Sequence, residues 1–190
     1  NTIMKTKKAK RLILKYLGLA VFLLYTGSYA QEQIGGWDPE LETKALETII
    51  LFKEKDPGLV RFFEEAYGYA VFPGVGKGAV GFGGAHGSGV VFESGEPIEK
   101  ATMTQITVGF QFGGQAYSEL IFFEDEKAMK RFKRGKFKFA GQVSAVAITL
   151  GASADVAYQN GVAVVTMTKA GLMYEASLGG QKFTFRPKKE

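Results

Sequence analysis

Seven basic side chains crowd into one short segment of the chain, which reads KAMKRFKRGKFKF from Lys127 to Phe139. They are Lys127, Lys130, Arg131, Lys133, Arg134, Lys136 and Lys138. Those at positions 127, 130, 131 and 134 follow helical spacing and are predicted to share one face. Beyond Gly135, alternation places both lysines on one side of an extended segment and both phenylalanines on the other. This pattern favours binding to an anionic membrane, where each basic group contributes about 1 kcal/mol.

The same residues also suit a purely structural role. Glu124, Asp125 and Glu126 stand at the predicted start of the helix and the basic residues at its end, which is the distribution that stabilises the helix dipole. Phe137 and Phe139 are equally suited to a core. Taken alone, the residues leave helix capping and anion binding both open.

Charge is divided sharply along the chain. Residues 31–126 hold 6 basic and 16 acidic side chains, and residues 127–190 hold 12 basic and 3 acidic ones. The formal charge of +5 arises from six basic residues before position 31, so it gives no support for a nucleic-acid partner. The asymmetry indicates an oriented encounter with an anionic partner.

The residues that catalysis or metal binding would need are sparse. His86 is the single histidine and there is no cysteine, so the ligand set for a zinc site is too small. A GxGxxG match from Gly76 to Gly81 is followed by Phe82-Gly83-Gly84, which does not suit the helix that a dinucleotide site requires. We therefore expect no catalytic residues, no metal and no cofactor.

The N-terminal segment has the pattern of an export signal. Basic residues precede an apolar run from Tyr16 to Tyr25, and Ser28 and Ala30 occupy the small positions before a cleavage site. We predict a cleaved signal peptide at residues 4–30 and a single domain at 31–190, in the periplasm or secreted.

Helix and strand signals predict an α+β fold. Asp38-Pro39 opens a helix to about Lys55, Asp56-Pro57 opens a shorter one, and a third runs from Glu124 to Arg134. The predicted strands are Tyr69–Phe72, Ala79–Ala85, Gly89–Phe92, Thr102–Phe112, Gln115–Phe123, Lys136–Phe139, Val143–Ala157, Val162–Thr168, Leu172–Ser177 and Lys182–Phe185. Short connections predict a largely antiparallel, glycine-rich β-sheet or barrel-like core with two N-terminal helices and one inserted basic helix.

Glycine-rich motifs in this core carry a family resemblance. Nine glycines stand in the 22 residues from Gly68 to Gly89, which read GYAVFPGVGKGAVGFGGAHGSG. With Gln111–Gln115, Leu120–Phe123 and Lys169–Met173, these motifs resemble the SYLF domain, a lipid-binding module also known as the actin-binding domain of yeast actin-patch proteins. The resemblance covers roughly residues 38–185.

The resemblance implies a non-catalytic protein that binds lipid. Combined with the predicted export, it favours peripheral binding to an anionic phospholipid membrane through the seven basic residues; protein partners stay unknown. Phosphoinositide specificity and actin binding belong to eukaryotic relatives and are not carried over to an exported protein. The alternatives are a small outer-membrane β-barrel and an enzyme with an unrecognised site.

Overall fold

The structure, a computed structural model, describes residues 37–80, 82–108, 113–134, 145–170 and 181–188, without the side chains of 77–80, 82–83, 106–108, 113–115 and 170. The chain divides into two units at Gly36 and Trp37, and the second unit is the one described. The signal peptide at 4–30 and the domain start at 31 lie outside the described residues and stay predictions.

Three α-helices form where the sequence predicts them. α1 spans Pro39–Lys55, α2 spans Val60–Glu65 after a 3-10 turn at Pro57–Leu59, and α3 spans Glu126–Lys133. Asp38 caps α1 by accepting a hydrogen bond from the backbone N–H of Leu41 at 3.0 Å. None of the helices in the described residues has the length and apolar character needed to cross a membrane.

Seven strands form one sheet. They are β1 (Gly68–Val80), β2 (Phe82–Glu93), β3 (Glu96–Val108), β4 (Gly113–Phe123), β5 (Ala145–Ala147), β6 (Val162–Ala170) and β7 (Gln181–Pro187). Their order in the sheet is β5-β6-β4-β1-β2-β3-β7, and every pair is antiparallel except the parallel pair of β5 and β6. The predicted α+β class and the largely antiparallel sheet are confirmed.

The sheet is strongly curved but does not close. A side chain of β4 hydrogen-bonds one of β7 at 3.2 Å, although three strands separate these two in the sheet order. Strands about 4.8 Å apart would place β4 and β7 about 19 Å from each other on a flat sheet. Among the described residues β5 and β7 are the two edges of the sheet, so of the two predicted forms, sheet and barrel-like core, the structure shows the open sheet.

Alternation along the strands divides the core into two faces. On one face α1 and α2 pack through Ala45, Ile49, Phe52 and Phe62 against even-numbered β4 residues such as Phe122. On the other face α3 packs through Ala128, Met129 and Phe132 against odd-numbered residues such as Phe123. The two helical regions therefore lie on opposite sides of the sheet, which we call the α1 face and the α3 face.

Two strand predictions are wrong in their boundaries. The predicted strand Ala79–Ala85 is a hairpin, because Val80 pairs with Phe82 and the chain reverses between them. The predicted strand Val143–Ala157 shrinks to β5 and is followed by a 3-10 turn at Ala152–Asp155. Gly151, with φ of 81°, lies in the left-handed region and ends the extended stretch. Predictions at 136–139 and 172–177 fall outside the described residues.

The hairpin signal at Asn160-Gly161 is confirmed. Both residues have positive φ, 53° and 76°, and Gln159 pairs with Val162 across them. Ser94-Gly95, between β2 and β3, has the same conformation, and Ser-Gly is also a dipeptide typical of turns. These turns set the register of the strands that flank them.

Candidate functional site

The basic helix α3 is fixed to the sheet by an N-terminal cap and an aromatic cluster. The side chain of Asp125 accepts a hydrogen bond from the backbone N–H of Ala128 at 2.6 Å. The ring of Phe132 lies 4.8 Å from that of Phe123 on β4 and 4.5 Å from that of Phe183 on β7. The apolar side of α3 is thus buried across β4 and β7, which turns its remaining side chains outward.

Three of the predicted basic residues form an exposed group on α3, namely Lys127, Lys130 and Arg134. The Nζ atom of Lys130 lies 2.7 Å from Glu126, but both side chains are more than half exposed. Such an exposed pair is weak in water, so Lys130 can exchange this partner for another anion at small cost. These three residues are the part of the predicted site that can meet a surface without rearrangement.

Arg131 and Lys133 are instead engaged within the protein. Arg131 Nη2 donates to the carbonyl oxygen of Asn160 at 2.6 Å, which ties α3 to the turn before β6. Lys133 Nζ lies 2.9 Å from Glu99 on β3, and these side chains are only 31% and 13% exposed. Both residues hold α3 in place. Lys136 and Lys138 lie outside the described residues.

A shallow pocket of about 70 Å³ opens beside α3. It is lined by Tyr67, Glu93, Glu126, Met129, Lys130 and Lys133. The Tyr67 hydroxyl donates to Glu93 at 2.7 Å, and this hydrogen bond raises the pKa of Tyr67 to about 12. The pocket is small and open to solvent on one side, so it cannot enclose a lipid headgroup.

The opposite face carries the opposite balance of charge. Residues 37–66 hold eight acidic and four basic side chains, whereas residues 124–134 hold three acidic and five basic ones. The outer side of α1 also exposes Leu46, Ile50 and Leu51, which are 47%, 56% and 47% exposed. The charge division seen along the sequence therefore becomes a division between the α1 face and the α3 face.

Two buried carboxylates lie under these faces. Asp56 is 2% exposed and accepts hydrogen bonds from the backbone N–H groups of Gly58 at 3.0 Å and Ser153 at 2.6 Å. Burial alone would raise the pKa of Asp56, but hydrogen bonds from Ser153, Gly58 and Gly151 outweigh burial and lower it. Glu119 on β4 is fully buried, and this burial raises its pKa to about 7 despite a hydrogen bond from Gln181.

The sequence analysis did not predict that Asp56 and Glu119 are buried carboxylates with hydrogen-bond partners on other elements. The Asp56-Pro57 start signal located Asp56 but could not show its bond to Ser153, 97 residues away. Glu119 is the one acid in the apolar strand Gln115–Phe123, which was the available signal for a buried ionisable group.

The residues weighed for catalysis or nucleotide binding are dispersed. His86 is exposed on β2. The GxGxxG segment begins inside β1 and leads into β2, so the helix that a dinucleotide site needs is replaced by a strand. Across the described ranges, no three His, Cys, Asp or Glu residues are grouped closely enough to hold a metal.

Two comparisons place the chain among known proteins. The model of the Ysc84 family, described as "Las17-binding protein actin regulator", matches residues 104–190. The chain is also 26% identical over 145 residues to Beta cell expansion factor A of Aeromonas veronii. That alignment covers 75% of this chain and 55% of the relative, so the chain spans about half the length of the curated relative that it matches. The resemblance to the SYLF family is confirmed.

Proposed function

We propose that this chain, whose residues 104–190 belong to the Ysc84 (SYLF) family, binds anionic phospholipid membranes peripherally through the exposed part of α3, without catalysis. Family membership suggests a lipid-binding or actin-related role, in a binding module rather than an enzyme. The proposal takes the lipid-binding branch and places the protein at the periplasmic or extracellular side of a membrane, following the signal pattern at 4–30.

The observation that carries the proposal is the placement of the basic helix. Lys127, Lys130 and Arg134 project from a helix whose other side is buried, on the face opposite the acidic helices α1 and α2. An approaching anionic surface attracts the α3 face and repels the α1 face, so the protein is oriented before contact. Arg131 and Lys133 support this surface by fixing α3 to the Asn160 turn and to β3.

The shape of the surface predicts what kind of lipid it recognises. Because the pocket beside α3 is too small to enclose a headgroup, the contacts are made by charged side chains on an open surface. We therefore expect binding to follow the charge density of the membrane. Vesicles that contain phosphatidylserine or phosphatidylglycerol at equal charge should bind within about threefold of each other.

The decisive experiment is vesicle co-sedimentation with two matched variants. The first changes Lys127, Lys130 and Arg134 to Gln, and the second changes Lys44, Lys53 and Lys55 of α1 to Gln. Both remove three positive charges, but from opposite faces of the sheet. The α3 variant should lose about 3 kcal/mol of binding to anionic vesicles, roughly a hundredfold, because each basic group contributes about 1 kcal/mol.

The α1 variant should bind within about threefold of wild type. Neutral vesicles should bind all three proteins poorly, and wild-type binding should weaken steeply as salt shortens the Debye length from about 10 Å at 0.1 M to about 3 Å at 1 M. A folded α3 variant that binds like wild type, or an α1 variant that loses as much, would contradict the proposed surface.

A further inference from the structure

A second feature lies on the α3 face, where a side chain of β4 reaches one of the edge strand β7. Glu119 Oε2 on β4 accepts a hydrogen bond from Gln181 Nε2 on β7 at 3.2 Å. Both side chains are buried, at 0% and 4% exposure. This contact bridges strands that are four places apart in the sheet, so it closes the seam between β4 and β7.

The bridge leaves one acceptor on each side without a partner. Among the described residues, neither Glu119 Oε1 nor Gln181 Oε1, both of them buried, has a hydrogen-bond partner. Two buried acceptor oxygens in a water-excluded site are costly, because each has lost its hydration and gained no donor. A single added proton on the carboxyl group would supply the donor that these two side chains lack.

We infer that the Glu119–Gln181 bridge is a proton-binding site, a clasp that locks the β4–β7 seam when the carboxyl group takes up one proton from solvent. The new O–H group on Glu119 then donates to Gln181 Oε1, while Gln181 Nε2 continues to donate to Glu119 Oε2. One proton satisfies both orphan acceptors and removes the buried charge. The inference does not depend on lipid binding.

The groups around Glu119 favour the neutral form. In the described residues β1 places Phe72 beside it and β6 places Thr166, and neither ionises. Tyr117, two residues earlier on the same side of β4, is itself held neutral, since burial raises its pKa further above the ordinary value. Burial raises the pKa of Glu119 to about 7, which puts the change of state near neutral pH.

The clasp acts on the seam that supports α3. Phe132 of α3 contacts Phe123 on β4, and on β7 it contacts Phe183 and Phe185, the latter at a centroid distance of 5.2 Å. Loss of the clasp therefore loosens β7 under the basic helix. Acidic conditions should hold the α3 face together, and ionisation above neutral pH should weaken it.

The sign of the pH effect follows from the pKa of Glu119, which rises from an ordinary 4.5 in the unfolded chain to about 7 in the folded protein. The folded state binds more protons between these values, so the contribution of Glu119 to stability is complete below pH 4.5, falls as pH rises towards 7, and then levels off. Wild type should show an unfolding constant roughly a hundredfold larger at pH 8 than at pH 5 from this group.

The test compares wild type with Glu119→Gln and with the exposed control Glu96→Gln. In denaturant titrations, the free energy of unfolding should be lower at pH 8 than at pH 5 for wild type and for the control. The difference should be much smaller for Glu119→Gln. Infrared difference spectra at pH 6, where ordinary carboxyl groups are ionised, should show a protonated-carboxyl band in wild type that Glu119→Gln lacks. Amide protection factors in β7 should fall at pH 8 only where Glu119 is present.

Three results would overturn the inference. One is a Glu119→Gln protein that keeps the full pH dependence. Another is wild type without the carboxyl band at pH 6. The last is full recovery of wild-type stability at pH 8 by added potassium or calcium, which would make the site a cation site. If Glu119→Gln fails to fold, the infrared band and β7 protection in wild type still decide the matter.

Discussion

One buried carboxylate lies on each face of the sheet, and the pKa values of the two carboxyl groups are shifted in opposite directions. On the α1 face, Asp56 is surrounded by N–H donors and its pKa is lowered. On the α3 face, Glu119 has one amide donor and its pKa is raised to about 7. Both side chains are inaccessible to solvent, but hydrogen bonds to Asp56 favour its charged form, whereas burial of Glu119 with one amide donor favours its neutral form.

The same contrast extends to the outer surfaces. The outer surface of the α1 face is acidic, and its buried carboxylate is stabilised in the charged form by hydrogen bonds. The outer surface of the α3 face is basic, and we infer that its buried Glu119–Gln181 bridge is completed by binding a proton. We read the α1 face as the fixed part of the fold and the α3 face as the part that responds to its surroundings. The following experiments test that distinction, beginning with the largest expected effect.

Removal of the Asp56 carboxylate should be the most damaging change. Asp56→Ala leaves the N–H groups of Gly58 and of the buried Ser153 without their acceptor, and an unsatisfied buried donor costs about 1–3 kcal/mol. We expect the free energy of unfolding to fall by about 3–5 kcal/mol in denaturant titrations. The exposed neighbour Asp155→Ala should change it by about 0.5 kcal/mol or less. Equal losses in the two variants would contradict the fixed role of Asp56.

Glycine substitutions test packing under the α3 face. A Cβ atom on Gly89 would lie 2.4 Å from the carbonyl oxygen of Val71 and 2.6 Å from the ring of Phe72, whereas one on Gly76 meets nothing within 4 Å. Gly89→Ala should therefore cost about 3 kcal/mol by overpacking, and Gly76→Ala about 0.5 kcal/mol or less. Thermal unfolding of the pair measures this, and similar melting temperatures would show that the close approach is relieved elsewhere.

Acid should weaken the α1 face while it leaves the α3 face closed. Because the pKa of Asp56 is lowered from 3.8, its contribution is complete above that value and is lost as pH falls through the folded pKa. Hydrogen exchange below about pH 4 should expose slow amides around Phe52 and Leu59 before those of β7. Loss of protection in β7 first would reverse the assignment of the two faces.

The smallest effect is expected for Lys133, whose ion pair with Glu99 fixes α3 to β3. Lys133→Met removes the partly buried ion pair with Glu99 but keeps the length of the side chain, so stability should fall by only about 0.5–1 kcal/mol. Binding to anionic vesicles should fall less than in Lys127→Met, since Lys133 is engaged within the protein. A larger binding loss for Lys133→Met would place this lysine in the contact surface.

Sequence reasoning reached the elements of the fold because their signals are local. The caps at Asp38 and Asp56, the Asn160-Gly161 turn and the spacing of α3 each depend on neighbouring residues. The curvature of the sheet and the failure to close depend on contacts such as Phe72 with Phe183, 5.7 Å apart but distant in sequence. No periodicity encodes such contacts.

The sequence predicted which basic residues lie on the helix of the candidate site, but not which of them are exposed and which are engaged within the protein. Helical spacing correctly put basic residues on one helix. It could not show that Arg131 reaches the carbonyl oxygen of Asn160 or that Lys133 pairs with Glu99, because those partners come from other elements. The pairing of Glu119 with Gln181 is likewise created by the fold.

The most direct test of the central claim asks which face touches the membrane. The chain contains no cysteine, so Lys127→Cys on α3 and Leu51→Cys on α1 each provide a unique site for an environment-sensitive fluorophore. On anionic vesicles the label at position 127 should shift to the blue and be quenched by lipid-borne quenchers, while the label at position 51 should keep its spectrum in water. A shift at position 51 without one at position 127 would show that the apolar outer row of α1 meets the membrane and would contradict the account.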